Sequence, residues 1–188
     1  MTIGSEKQKW LATHDFRSSP DAFKLKLAPL MEILGDVEVD FVPALHPARG
    51  EPKGFEWWSS PTFNNYFMGW IGDVGLDESL EYLREKVAKD GPYAGVIGFS
   101  QGGAMAHSLL TRGLVQRGIL FSPVLPSGRK WPPGENTSYD AVVIYDPADL
   151  TGENYPRAGI PETTHSENHV VPVLTDKMKE MIRAVAEA

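Results

Sequence analysis

The run Gly98-Phe99-Ser100-Gln101-Gly102-Gly103 constrains this chain more than any other segment, because the hydrophobic period changes abruptly there. Before it, residues 93–99 (YAGVIGF) form a short, apolar, partly β-branched stretch, the pattern of a buried strand. After it, Ala104, Met105, Ala106, Leu109 and Leu110 recur at helical spacing within residues 101–112. A strand that becomes a helix almost at once needs a tight turn, and glycine lets the backbone pass where a Cβ would collide. Strand, sharp turn and helix are the context in which a G-x-S-x-G sequence holds its serine hydroxyl at the strand end. Ser100 is therefore a candidate nucleophile, set over a helix N-terminus whose N–H groups and partial positive charge favour an oxyanion.

The rest of the chain alternates in the same way. Residues 10–13 read as a strand that ends at His14-Asp15-Phe16. Ser19 is a plausible cap and Pro20 a first helical residue, for a helix whose apolar face runs from Phe23 to Leu34 and stops at Gly35. Residues 37–45 alternate like a strand, 76–88 read as a helix, 118–121 and 141–145 as strands, and about 174–185 as a final amphipathic helix. This predicts an α/β fold with a mostly parallel central sheet and helices on both faces. In such sheets ligands bind beyond the carboxyl ends of the strands, which is where Ser100 falls. A chain of 188 residues is expected to make a single domain spanning residues 1–188 with no large cap.

Residues 46–70 break the pattern. They are rich in Pro and Gly and contain Phe55, Trp57, Trp58, Phe63, Tyr66, Phe67 and Trp70. Long irregular segments inside a domain are often lids or binding loops. The aromatics read either as a satellite packing cluster or as a wall for an apolar acyl or aryl group, and the two are compatible.

Charge and composition remove several classes of function. A net charge of −7 argues against a nucleic-acid or anionic-membrane surface, which needs clustered Lys and Arg. No apolar run is long enough to span a bilayer, and the first ten residues lack the apolar core of a signal peptide, so the cytoplasm is the default location. With no cysteine, a disulfide framework, a thiolate nucleophile and thiolate metal ligands are all excluded.

A serine hydroxyl needs a base, and the base needs an acid to orient it. His107 lies in the helix leaving the turn and is tied to it, whereas His165 and His169 lie in a loop before the last helix, the usual place for a base. Asp146 and Asp149 follow the 141–145 strand in a turn on the same sheet edge as Ser100, and both are candidate acids. His165 and His169, four apart around Glu167, lack the order of a helical zinc motif, so no metal and no cofactor is expected. His14 and His46, at strand ends, read as structural hydrogen-bonding residues.

The segments THDFRSSPDAF, VDFVPALHP, GPYAGVIGFSQGGAMA, FSPVLP, IYDPAD and HVVP together resemble the serine hydrolases of the FSH1 type over nearly the whole chain. The resemblance implies an α/β-hydrolase fold and an esterase or thioesterase acting on a small or medium acyl group, with small-molecule ester or thioester substrates. It also implies Ser100 as nucleophile, Asp149 as acid, His169 as base, and the backbone N–H groups of Phe16 and Gln101 as oxyanion donors. His14, Asp15, Trp57, Trp58 and Phe63 are candidate site-lining residues. Where the family usually has glycine, this chain has Asp15, Asp146 and Glu167. That departure predicts a site of negative potential, poor towards polyanionic thioesters. It also keeps open a weakened hydrolase fold that binds a ligand or partner; an acyltransferase is a further alternative, because transacylation uses the same three residues as hydrolysis.

Overall fold

The computed structural model describes residues 7–48, 54–59, 73–126, 130–152, 154–157 and 159–188. The elements in chain order are β1 (Lys9–Thr13), α1 (Pro20–Lys26), α2 (Ala28–Leu34), β2 (Glu38–Val42), β3 (His46–Pro47), β4 (Phe55–Glu56), α3 (Leu76–Asp90), β5 (Gly95–Phe99), α4 (Gln101–Thr111), β6 (Arg117–Phe121), β7 (Asp140–Tyr145), β8 (Glu162–Thr164) and α5 (Asp176–Glu187). Six strands pair in the order β2-β1-β5-β6-β7-β8, and every pairing is parallel. β3 and β4 make a small antiparallel pair of their own.

Strand alternation divides the core into two layers. Trp10, Ala12, Ile97, Phe99, Phe121 and Ile144 face Phe23, Leu27 and Leu30 of the α1–α2 region and Met178 and Ile182 of α5. Leu11, Val96, Leu120 and Val143 face the opposite way, onto Leu76, Leu80 and Leu83 of α3 and Met105 and Leu109 of α4. The register sets the strand ends nearly flush: Thr13 pairs with Gly98, Phe99 with Phe121, and Phe121 with Ile144. The connections after β1, β5, β6 and β7 therefore leave one edge of the sheet together.

The structure corrects two expectations and adds a strand. The helix expected through residues 20–34 is two helices meeting at Leu27, because Pro29 opens a new first turn and has no N–H to continue the old ladder. The strand expected at 37–45 ends at Val42, where Pro43 cannot donate to the sheet. The strand β8 (Glu-Thr-Thr) is too short and too polar to be visible as a period. The caps behave as expected: Ser19 Oγ accepts from Ala22 N at 3.3 Å, and Gly35 closes α2 at φ +71°.

Candidate active site

Ser100 joins β5 to α4 at φ 58° and ψ −122°, a left-handed conformation costly for a serine. Two neighbours hold it there. Its N–H donates to the Phe121 carbonyl at 3.0 Å, and its carbonyl accepts from Val124 N at 3.3 Å. The flanking glycines are required by contact: a Cβ on Gly98 would strike the Gly102 carbonyl, and one on Gly102 would strike the carbonyls of Thr13 and His14. Close approach of α4 to the end of β1 is thus written into the motif, and Thr13 Oγ1 fixes it by donating to the Gly102 carbonyl at 2.8 Å.

Of the candidate bases and acids, the fold brings one pair to Ser100. Ser100 Oγ lies 2.8 Å from His169 Nε2, and His169 Nδ1 lies 2.5 Å from Asp149 Oδ2. The carboxylate fixes the tautomer: Nδ1–H donates to Asp149, which leaves Nε2 to accept the serine proton. Phe99 packs against the His169 ring at 5.0 Å between centroids. Asn168, just before the histidine, takes φ +66°, a value asparagine tolerates better than most residues. Asp149 is buried, and its Oδ1 accepts from Thr151 N at 3.0 Å and from Thr151 Oγ1 at 2.5 Å. The same hydroxyl oxygen lies 2.9 Å from His169 Nδ1. The sequence reading missed Thr151; its signal was the Asp-x-Thr spacing, in which a side chain bonds the residue two positions on.

The other candidates serve the scaffold. Asp146 accepts from Ala148 N at 2.8 Å and from Asn168 N at 2.6 Å, so it ties the β7 turn to the histidine loop. Those two backbone bonds hold its carboxyl below the usual carboxylate range. His165 turns away, its Nδ1 accepting from Glu167 N at 3.2 Å. His14 is fully buried and does not line the cleft: its Nδ1–H donates to the Asp15 carbonyl at 2.7 Å and its Nε2 accepts from Ala44 N at 3.0 Å. Burial lowers its pKa, which keeps the ring neutral and able to make both bonds. His46 bonds the Gly75 carbonyl at 2.9 Å. His107 lies among Tyr139, Tyr155 and Trp131: Tyr155 OH is 2.8 Å from Nδ1, Tyr139 OH is 3.1 Å from Nε2, and Trp131 Nε1–H donates to Tyr155 OH at 3.2 Å.

The two tryptophans have different fates. Trp57 is wholly buried, its Nε1–H donating to the His14 carbonyl at 2.8 Å, so it belongs to the core rather than to the site wall. Trp58 does line the site. Both are held by Gln101, whose Oε1 accepts from Trp57 N and whose Nε2 donates to the Trp58 carbonyl, each at 3.0 Å. Phe63, Tyr66, Phe67 and Trp70 lie outside the described residues.

A cleft of about 480 Å³ opens over Ser100 and His169, lined also by Phe16, Gln101, Trp58, Phe99, Leu125 and Val171. Gln101 stands in the first turn of α4, where the helix itself supplies no acceptor for its N–H. The charges expected to make this site negative are individually accommodated. Asp15 pairs with Lys26 at 2.5 Å, Asp146 is held by backbone N–H groups, and Glu167 accepts from Val173 N at 3.0 Å. Among the described residues no cluster of three or more His, Asp or Glu groups is arranged to hold a metal. None of the described helices is long and apolar enough to cross a membrane.

A parallel sheet with a strained serine between strand and helix, facing a histidine and an aspartate from later strand ends, defines the α/β-hydrolase fold. Solved structures agree. Arabidopsis thaliana SOBER1 superposes with a TM-score of 0.67 at 13% identity, over 96% of this chain and 98% of its own. A Bacillus cereus carboxylesterase gives 0.65 at 19% identity, over 98% of this chain and 90% of its own. The model of the serine hydrolase (FSH1) family matches residues 1–118, and the chain belongs to that family. An esterase of Anopheles gambiae is 38% identical over 111 residues, which is 53% of this chain and 41% of that protein. Esterase OVCA2 of Danio rerio is 30% identical over 121 residues, 53% of each chain. The chain spans about half or less of the length of the curated relatives it matches. The family match stops before Asp149 and His169, so it is narrower than the whole-chain likeness expected, and the two residues beyond it reach Ser100 through the fold.

Proposed function

We propose that the chain is a serine esterase that works through an acyl-enzyme on Ser100. The observation that carries this reading is the unbroken relay from Ser100 Oγ to His169 Nε2 at 2.8 Å and from His169 Nδ1 to Asp149 at 2.5 Å, opening on a cleft of about 480 Å³. In this mechanism His169 takes the Ser100 proton as Oγ adds to the ester carbonyl. Asp149 stabilises the imidazolium, and the N–H groups of Gln101 and Phe16 receive the oxyanion. His169 then gives its proton to the departing alcohol or thiol. Water then adds to the acyl carbon as it loses a proton to the same Nε2, and His169 returns that proton to Ser100 Oγ as the bond from Oγ to the acyl carbon breaks and the acid leaves.

The apolar share of the lining, from Trp58, Phe99, Leu125 and Val171, suits a short or medium acyl chain. The Lys26–Asp15 pair compensates one of the charges that motivate a weakened, binding-only hydrolase, and so supports turnover over that reading. A fluorophosphonate probe should label the wild-type protein, and Ser100→Ala should lose both the label and the cleavage of p-nitrophenyl butyrate. Labelling that persists in Ser100→Ala would put the nucleophile elsewhere.

A further inference from the structure

We propose that the Asp15–Phe16 peptide group is held from two sides, by His14 and by the Asp15–Lys26 pair, so that Phe16 N–H is set in advance to receive the oxyanion. The proposal deepens the esterase reading above and rests on it. It makes His14, Asp15 and Lys26 positioning residues, which act on the reaction through the backbone they hold. Gly102 packs on the carbonyls of Thr13 and His14, and this sets the loop after β1 beside the first turn of α4, where Gln101 supplies the other donor.

The carbonyl end is held from the core. Ala44 N can only donate, so its bond at 3.0 Å makes His14 Nε2 the acceptor and leaves the ring proton on Nδ1. That proton goes to the Asp15 carbonyl at 2.7 Å. The preceding carbonyl, that of His14 itself, accepts from Trp57 Nε1–H at 2.8 Å. Both rings are wholly buried, with centroids 5.6 Å apart, so neither can follow the loop if it turns. The Asp15–Phe16 peptide is planar and trans, so its N–H points away from its carbonyl. With the Asp15 carbonyl drawn towards the core, Phe16 N–H is directed the other way, and Phe16 lines the cleft over Ser100.

The side-chain end is held from the surface. Lys26 Nζ donates to Asp15 Oδ2 at 2.5 Å, which ties the loop after β1 to the last turn of α1. Asp15 Oδ1 is withdrawn from solvent, so the carboxylate is engaged with the loop rather than offered to a ligand. Lys26 also cancels a charge that would oppose the oxyanion. The turn needs such holds. Arg17, next after Phe16, takes φ +55°, and a residue with a Cβ keeps that conformation only where its surroundings over-determine it. The chain is caught again at Ser18, whose carbonyl accepts from Phe55 N at 2.8 Å. A glycine at position 15 would leave the peptide with the His14 bond and no tie to α1.

The test compares p-nitrophenyl butyrate with its thionoester, in which sulfur, a weak hydrogen-bond acceptor, replaces the carbonyl oxygen. The ratio of the two kcat/KM values is divided by the ratio of the spontaneous hydrolysis rates. It reads the oxyanion donors and cancels the amount of folded enzyme, which is what a merely structural role would change. The wild-type protein should favour the oxygen ester by about 10²-fold, the yield of one oxyanion donor. His14→Gln keeps an acceptor for Ala44 N but loses the donor at the Nδ1 position, and its ratio should fall by about tenfold. His14→Asn places an amide N–H at the Nδ1 position and should keep most of the ratio. Lys26→Met and Asp15→Gly should each lower it by about threefold, within the yield of a partly exposed ion pair. The glycine variant carries no stray charge, so its fall reads the tie itself, and it decides the matter if the His14 variants do not fold. No preference in the wild type, a His14→Gln ratio unchanged or matched by His14→Asn, or an Asp15→Gly ratio at or above wild type overturns the proposal. If the protein labels with fluorophosphonate and cleaves the butyrate, that failure belongs to the positioning alone. Absence of both labelling and cleavage overturns the esterase reading and this proposal together.

Discussion

Replacing Thr151 with valine keeps the branched shape of the side chain and removes one hydroxyl. That hydroxyl donates to Asp149 Oδ1 at 2.5 Å, while its oxygen stands 2.9 Å from His169 Nδ1. A hydrogen bond to a charged group contributes about 1.5–3 kcal/mol. Asp149 would keep the Thr151 N–H at 3.0 Å on the same oxygen, so the carboxylate would stay anchored and lose only its side-chain share. What reaches kcat is the part that grows as His169 becomes an imidazolium between Ser100 and Asp149. The lower end of the range, about 1.5 kcal/mol, gives roughly a tenfold fall in kcat. Steady-state cleavage of p-nitrophenyl butyrate and the rate of inactivation by a fluorophosphonate should fall together, and Thr151→Ser should recover most of both. A valine variant within twofold of wild type, or a serine variant as slow as the valine one, would refute the positioning role.

Two further outcomes follow from groups away from the relay. Gln101→Ala strands Trp57 N and the Trp58 carbonyl, two buried groups now met at 3.0 Å each, at a cost of about 2–3 kcal/mol. It should lower the melting temperature and raise KM, and an unchanged melt and KM would count against the clamp. Burial pushes the His107 pKa down to about 4 from its ordinary 6.5, so the native state favours the neutral ring. The unfolded chain takes up the proton below 6.5 and the native protein only near 4. This contribution is therefore complete above pH 6.5 and is lost as the pH falls towards 4, by about 3 kcal/mol in all. Urea unfolding at a series of pH values should follow that decline, and His107→Gln should flatten it; a wild-type stability level across this window would contradict the reading.

What could be read in advance was whatever a local pattern encodes. The switch from strand to helix at Ser100 and the acids placed just after an apolar strand depend on neighbouring residues, and they fell at the sheet edge where the register later set them. Choosing Asp149 over Asp146 needed more. Both sit in the same turn, and only the backbone geometry decides that Asp146 meets the N–H groups of Ala148 and Asn168 while Asp149 meets His169. The Asp15–Lys26 pair was illegible for a different reason. Its members are eleven positions apart on different elements, and only the turn from β1 into α1 brings them together. Trp57 and Trp58 could not be told apart by composition, since the difference lies in which ring faces the His14 carbonyl.

The aromatic segment is gathered at its base before any of its contents matter. Ser59 and Val74 exchange backbone hydrogen bonds at 2.8 and 3.1 Å, His46 grips the Gly75 carbonyl, Ser79 Oγ donates to the Trp57 carbonyl at 2.6 Å, and Gln101 holds the Trp57–Trp58 backbone. A neck tied in this way fixes both ends of the segment against α3 and α4. Lengthening such a closed span costs little, about 0.6 kcal/mol for each doubling. The neck is accordingly a natural splice point: sequence exchanged between Ser59 and Val74 leaves its tied ends, and the spacing of Ser100, His169 and Asp149, in place.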